Sequence, residues 1–210
     1  MADWTTIASL ATAGGTLVLA VATYASVRSS NRSAQASERA LSAAIRPVLV
    51  NSKLQDPMEK VGFMDQRWFK VEGGRAIAEA TDDAIYLVMS VRNVGPGLAV
   101  LDRWHLKIDR ATEPDHPPLD EFRRLTRDIY VPPGDVGFWQ GAIREVDDPM
   151  FAVTKAAIAE GTPLTVDVLY ADHEGGQRTI TRFGLIPAGE GQQRLCVVSR
   201  HWNLDRSNPR

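Results

Sequence analysis

The run "WTTIASLATAGGTLVLAVATYASVRSS", from Trp4 to Ser30, carries no charged residue before Arg28. At about 1.5 Å rise per residue, its core from Ile7 to Val27 makes about 31 Å of helix, close to the hydrocarbon thickness of a bilayer. Trp4 and Tyr24 stand at the two ends, where amphipathic rings favour the headgroup level. A cleaved signal peptide needs a basic start, a shorter apolar stretch and a small-x-small site. Here Asp3 is the side-chain charge before the run, and the positive charges follow it, although Ala20-Val21-Ala22 has the small-x-small form. Residues 1–27 are therefore expected to be a retained, single-pass transmembrane helix. Because Ala and Thr make the run only moderately apolar, a buried helix of a soluble protein is the alternative.

The flanks set an expected orientation. Arg28, Arg32, Arg39 and Arg46 follow the run, opposed locally by Glu38. Basic residues beside a span stay on the cytoplasmic side, which places the N-terminus outside and the C-terminal domain in the cytoplasm, at a cell membrane. Cys196 is the single cysteine, so no disulfide framework argues for an oxidising compartment. The Ala-, Arg- and Gly-rich usage suggests a bacterial chain. Basic segments at 28–46 and 194–210 leave an acidic body between them, a poor platform for nucleic acid, which needs clustered Lys and Arg.

Residues 28–46 contain no Gly or Pro, and Pro47 disfavours helix in the residue before it, so a membrane-proximal helical stalk is expected there. Val27, Ala34 and Leu41 recur at seven-residue spacing, with Ile45 beyond them. That thin stripe suits a stalk packed on its own domain or, alternatively, a weak coiled coil or partner-helix face. Ala8, Ala11, Gly15, Ala22 and Ser26 fall near one face of the preceding helix. Ala11-xxx-Gly15 is the tightest small-residue pair, a candidate contact for self-association or a partner helix.

After Pro47 the period changes to two. "AIYLVMSVRN" places Ile85, Leu87, Met89 and Val91 on one face, and "LAVLDRWHLKID" alternates Trp104, Leu106 and Ile108 against Arg103, His105, Lys107 and Asp109. Further strand patterns are "VLVNSKL", "RWFKV", "DIYV", "VGFWQGA", "LTVDVLYA", "RTITRFGLI" and "RLCVVSR". Seven to nine short strands between Gly/Pro turns predict an all-β antiparallel sandwich or barrel over residues 47–204, with a basic tail at 205–210. Two short helices interrupt it. One follows Asp148 as N-cap and Pro149 at the first helical position, ending before Gly161. The other lies in "LDEFRRLTR", residues 119–127.

Motifs for chemistry are sparse. "RNVGPGLAV" lacks the third glycine and the following helix of a dinucleotide loop, and reads as a hairpin turn. Asp172, His173 and Glu174 precede Gly175-Gly176, but neighbours on a strand point to opposite faces and do not converge on one ion. A polar hairpin is the reading, and a metal or catalytic role the alternative. His105 is expected to be solvated and Cys196 buried. No catalytic, cofactor or metal residue is assigned. Trp104 and Trp139 are expected in the core. Trp68 and Trp202 are candidate partner-binding anchors, with burial in the core as the competing reading.

The uncharged span, the Arg/Ala/Glu helix ending "RPVLV", the turn "SVRNVGPGLAV" and the later "LYADHEGGQRTITRF" together resemble uncharacterised bacterial single-pass membrane proteins with a cytoplasmic Ig-like β-sandwich. The resemblance implies architecture: a membrane anchor carrying an Ig-like sandwich. It transfers no activity, and the Cys…Trp…Cys pattern of antibody-type domains is absent. The expected function is a membrane-anchored interaction or scaffolding module without catalysis of its own, with a bilayer and a protein as partners and no cofactor. A ligand sensor or hydrolase-type enzyme built on the Asp172-His173-Glu174 loop is the alternative.

Overall fold

Alternating apolar residues become strands where Gly and Pro turns let the chain reverse. The structure, a computed structural model, describes residues 3–189 and 191–206, leaving aside the side chains of helix residues 4–7, 9–11, 39 and 42–43. The chain divides into two compact units, Met1–Ala44 and Ile45–Arg210.

The first unit is one helix, α1 (Trp4–Ala44), of 41 residues. It ends two residues before Arg46, as the following proline requires. Leu17, Val18, Leu19, Val21, Tyr24 and Val27 are all exposed on it. Consecutive helical positions are about 100° apart, so these apolar side chains surround the axis and form no single stripe. The hydroxyls of Thr12 and Thr16 donate to the carbonyls of Ala8 and Thr12, each at 2.9 Å. Among the described residues no helix is long and apolar enough to cross a membrane. The expected span is thus not shown, and the side chain of Ala11 lies outside the described residues.

The second unit is mostly β. Its strands are β1 (Leu49–Asn51), β2 (Glu59–Gly62), β3 (Trp68–Val71), β4 (Arg75–Ala80), β5 (Ile85–Asn93) and β6 (Ala99–Ile108), followed by β7 (Arg123–Val131), β8 (Val136–Ile143), β9 (Leu164–Ala171), β10 (Thr179–Pro187) and β11 (Gln193–Asn203). Helix α2 (Pro149–Ala159) lies between β8 and β9. One curled antiparallel sheet runs β1-β5-β4-β11-β10-β9-β6-β7, with β8 also on β5, while β2 and β3 form a separate hairpin. The result is sandwich-like.

β5 is buried along nearly its whole length. Ile85, Leu87, Met89 and Val91 face the main core with Trp104, Trp139 and Phe183. Tyr86 and Val88 belong to a second cluster that the β2–β3 hairpin closes with Val61, Phe63, Phe69 and Val71. Cys196 lies in the main core, its Sγ 3.7 Å from Met89 Sδ, and burial pushes its thiol well above the ordinary value.

Three local expectations need correction. "VGPG" joins β5 to β6, but the two do not pair: β5 bonds to β1, β4 and β8, and β6 to β7 and β9. The turn is a crossover. Its glycines admit close passage of the chain, since a Cβ at Gly97 would stand 1.6 Å from the Ile45 carbonyl oxygen. Residues 119–127 are not a helix but a single 3-10 turn, Leu119–Glu121, running into β7. β-branched and aromatic residues in "TRDIYV" and pairing to β6 override the local helical pattern. His105 is half-buried rather than solvated, because the 3-10 turn brings Glu121 and Phe122 against it. Helix α2 forms as its caps dictate: Asp148 accepts from the Met150 N–H at 2.8 Å, and Gly161 past the end has φ +68°.

A buried ion pair pins the loop 109–118 to the sheet. Arg182 on β10 donates from Nε to Asp167 Oδ1 at 2.7 Å and from an Nη to Oδ2 at 2.9 Å. Its other Nη reaches the Glu113 carbonyl at 3.0 Å, and the guanidinium lies 4.8 Å from the Trp202 ring centroid. Both partners are almost fully enclosed. Removing one strands the other charge in the interior. Arg182→Met should therefore destabilise the β domain by about 3–5 kcal/mol in denaturant titrations. Replacing Asp167 by Leu as well should restore part of that loss.

Burial depresses the His105 pKa more than Asp167 and Glu121 raise it. The folded state therefore prefers the neutral ring. Its contribution to stability is present above the unfolded value of about 6.5 and is lost as pH falls through the lower folded value. Urea midpoints should decline with acid across that window, and His105→Leu should flatten the decline.

Candidate functional site

The two end strands of the curled sheet meet without joining. Among the described residues β7 has only β6 as a strand partner, and β8 has only β5. They are consecutive, reversed through Pro132-Pro133-Gly134-Asp135, where Gly134 takes φ +75° and the Asp135 N–H bonds to the Pro132 carbonyl at 3.2 Å. Near the turn they touch: a Cβ at Gly137 would stand 3.0 Å from Val131 Cγ2. Further along, side chains rather than backbone span the seam. Arg127 donates to Gln140 Oε1 at 2.9 Å and lies 5.4 Å from the Phe138 ring centroid.

Beyond Arg127 the strands part. The cause lies in the register of β6 with β7, which jumps from Leu101↔Ile129 to Arg103↔Arg124. Residues 125–128 oppose Asp102 alone, and a bulge of that size bends and coils its strand. Asp102 is skipped in the ladder to β9 as well. The result is a cleft of about 340 Å³, with Arg123–Thr126 on one side, Gln140–Glu145 on the other and Trp104 in its lining.

Its walls combine an apolar floor with charge. Trp104 and Trp139 stack edge to face with centroids 5.4 Å apart, and both are buried, as their alternation with apolar neighbours predicts. Arg123 lies 5.8 Å from the Trp104 ring centroid and grips the Asp148 carboxylate with two N–H groups, the second at 2.9 Å. That pair, together with the Met150 N–H, holds the Asp148 carboxyl below the usual range despite partial burial. Asp148 thus caps α2 and fixes one corner of the cleft. Arg144 lies 5.9 Å from the Phe63 ring centroid and 3.5 Å from Asp65. Arg124 is exposed and has no ionic partner among the described residues.

The residues singled out from the sequence lie elsewhere. Trp68 is 61% exposed, on the β2–β3 hairpin, with its ring over Gly62 and Lys60 Nζ 4.8 Å from its centroid. Trp202 is buried at 5%, its indole N–H donating to the Pro114 carbonyl at 3.1 Å. It packs with Phe122, Leu169 and Ile180 and is unavailable as an exposed anchor. The loop after β9 does reverse into β10 as a hairpin. Asp172 is buried, with its carboxylate accepting from the Gln177 N–H at 2.9 Å, while His173 and Glu174 are exposed. The three do not converge, and among the described residues no group of His, Cys, Asp and Glu has the arrangement of a metal site. Gly15 is exposed on α1, with open space where a Cβ would stand.

Compared with known proteins, the chain matches no family model and no curated relative.

The cleft depends on one absent side chain. A Cβ at Gly141 would lie 2.7 Å from Trp139 and 3.2 Å from Trp104. Gly141→Ala should push the indole pair apart and cost about 1–3 kcal/mol by chemical unfolding. Gly176→Ala, with open space around it, should cost much less.

Proposed function

We propose that the chain is a tethered interaction module whose β domain takes up an extended, acidic segment of a protein partner along the seam between β7 and β8. The observation that carries this is the pair of facing strand edges with no hydrogen bonds between their backbones among the described residues. Unpaired strand edges are templates for an added strand, whose main-chain bonds supply affinity. Side-chain selection comes from the walls. The indole floor accepts an apolar residue, and Arg124, which has no ionic partner among the described residues, faces the wall that carries Arg144 and with it favours carboxylates.

The proposed tether is α1, held in a cell membrane with the β domain in the cytoplasm. Support comes from the uncharged run up to Val27, the apolar side chains around the whole helix circumference, and threonine hydroxyls bonded within the helix. Internal satisfaction of polar groups is what a hydrocarbon environment demands. The Arg residues from Arg28 onward favour retention of that end on the cytoplasmic side. An Ig-like connectivity of the sandwich and packing of another helix against the Ala11–Gly15 face belong to the same proposal.

Two measurements test it. A phosphatase that works only after export, fused after Arg210, should be inactive because the fusion stays in the cytoplasm, and the chain should stay with membranes after alkaline washing. Recovery in the soluble fraction would remove the tether. For the seam, crosslinkers placed at Thr126 should capture a partner through an acidic extended segment. Arg124→Glu should reduce capture about tenfold, the effect of reversing one well-placed charge. Undiminished capture from Thr126 in both the Arg124→Glu and the Arg144→Glu variants would exclude this edge as the docking surface.

A further inference from the structure

A second cavity, of about 530 Å³, lies on the β domain between the start of its chain and the end of β11. Arg46, Arg200 and Arg206 line it, with Asp115 as the acidic residue among the lining groups. Arg46 is already bound through both terminal nitrogens, to Asp205 and to Asn203 Oδ1 at 3.1 Å. Arg200 spends one nitrogen on the Pro114 carbonyl, at 3.0 Å.

Two further polar atoms in these walls are buried with no hydrogen-bond partner among the described residues: Arg46 Nε and Thr179 Oγ1. The residues are 8% and 3% exposed. Orphaned buried donors are rare in native proteins, because each forfeits its bond to water without replacement. An arginine Nε–H only donates, and a threonine hydroxyl donates as readily as it accepts. Both therefore call for an acceptor, at a place where three guanidinium groups outnumber the carboxylates. Burial alone would raise the Asp205 carboxyl, but its hydrogen bonds from Arg46 and from its own backbone, with the charges of Arg46 and Arg206, together hold it below the usual range.

We infer that this cavity binds a phosphate-type oxyanion, with Thr179 Oγ1 and Arg46 Nε as donors and Arg200 and Arg206 supplying charge. Several oxygens on one tetrahedral group satisfy both orphans together, as a monodentate chloride does not. The site is distinct from the seam, and shares no lining residue with it. The phosphate belongs either to a soluble anion or to a lipid headgroup, and these differ in how they are presented.

The test uses the full chain, purified in non-ionic detergent, titrated with inorganic phosphate at constant ionic strength against chloride. Phosphate should raise the thermal midpoint in a saturable way. Thr179→Val and Arg206→Ala should each weaken binding about tenfold, the effect of one lost charge-assisted hydrogen bond. Thr179→Val removes an unpartnered hydroxyl, so its midpoint without phosphate should not fall, which separates lost binding from lost folding. In a second arm the chain is floated with phosphatidylcholine vesicles, with and without phosphatidylglycerol. A preference for the anionic vesicles that both substitutions remove assigns the lipid headgroup as the source. A phosphate response that they remove, without any vesicle preference, assigns the soluble anion. Equal effects of phosphate and chloride, with no vesicle preference sensitive to Thr179→Val, would overturn the inference.

Discussion

The β domain is organised around a strand that has no solvent face. β5 carries apolar side chains to both sides, so each of its surfaces must be covered by a different structure. The main core covers one, and the β2–β3 hairpin covers the other. Its backbone is equally committed: β4 and β1 bond to successive parts of it, and β8 runs beside it from Ile85 to Arg92. By holding β8, this strand leaves β7 to seek its pairing on β6. The open seam follows from that division.

A second set of bonds fastens the beginning of the domain. The Tyr170 hydroxyl accepts from the Leu49 N–H at 3.0 Å and lies 2.9 Å from Thr181 Oγ1, which is itself 2.7 Å from His201 Nδ1. Burial drives the Tyr170 pKa up to about 12, so the phenol stays protonated at physiological pH. One hydrogen-bonded network thus ties β1 to β9, β10 and β11. The Arg46–Asp205 pair adds a charged clasp just outside it.

Much of the architecture was legible as period. The alternations in β5, β6, β9 and β10, the burial of Trp104, Trp139 and Cys196, and both caps of α2 follow from local chemistry that packing did not override. Pairing was not legible. "RNVGPGLAV" has the composition of a hairpin and serves as a crossover, because the partners of β5 come from distant parts of the sequence. "RAIAEA" has the Ala and Glu of a helix, yet is β4, sandwiched between β5 and β11. Trp202 sits in a basic, polar stretch, and only folding brings Arg182, His116 and Pro114 around it. The seam left even less trace. It arises from bonds that do not form, and from a bulge whose size depends on how β6 and β7 align.

The placement of Cys196 has a practical consequence. A thiol reacts as its thiolate, and burial disfavours that form while also excluding reagents from the sulfur. Because the chain has one cysteine, any alkylation of it reports a molecule whose strands β4 and β11 have separated or whose core has opened. The native sequence therefore contains its own clock for transient opening. The pace at which a maleimide consumes Cys196, set against the pace for the denatured chain, measures how often the interior breathes, without an added label or substitution.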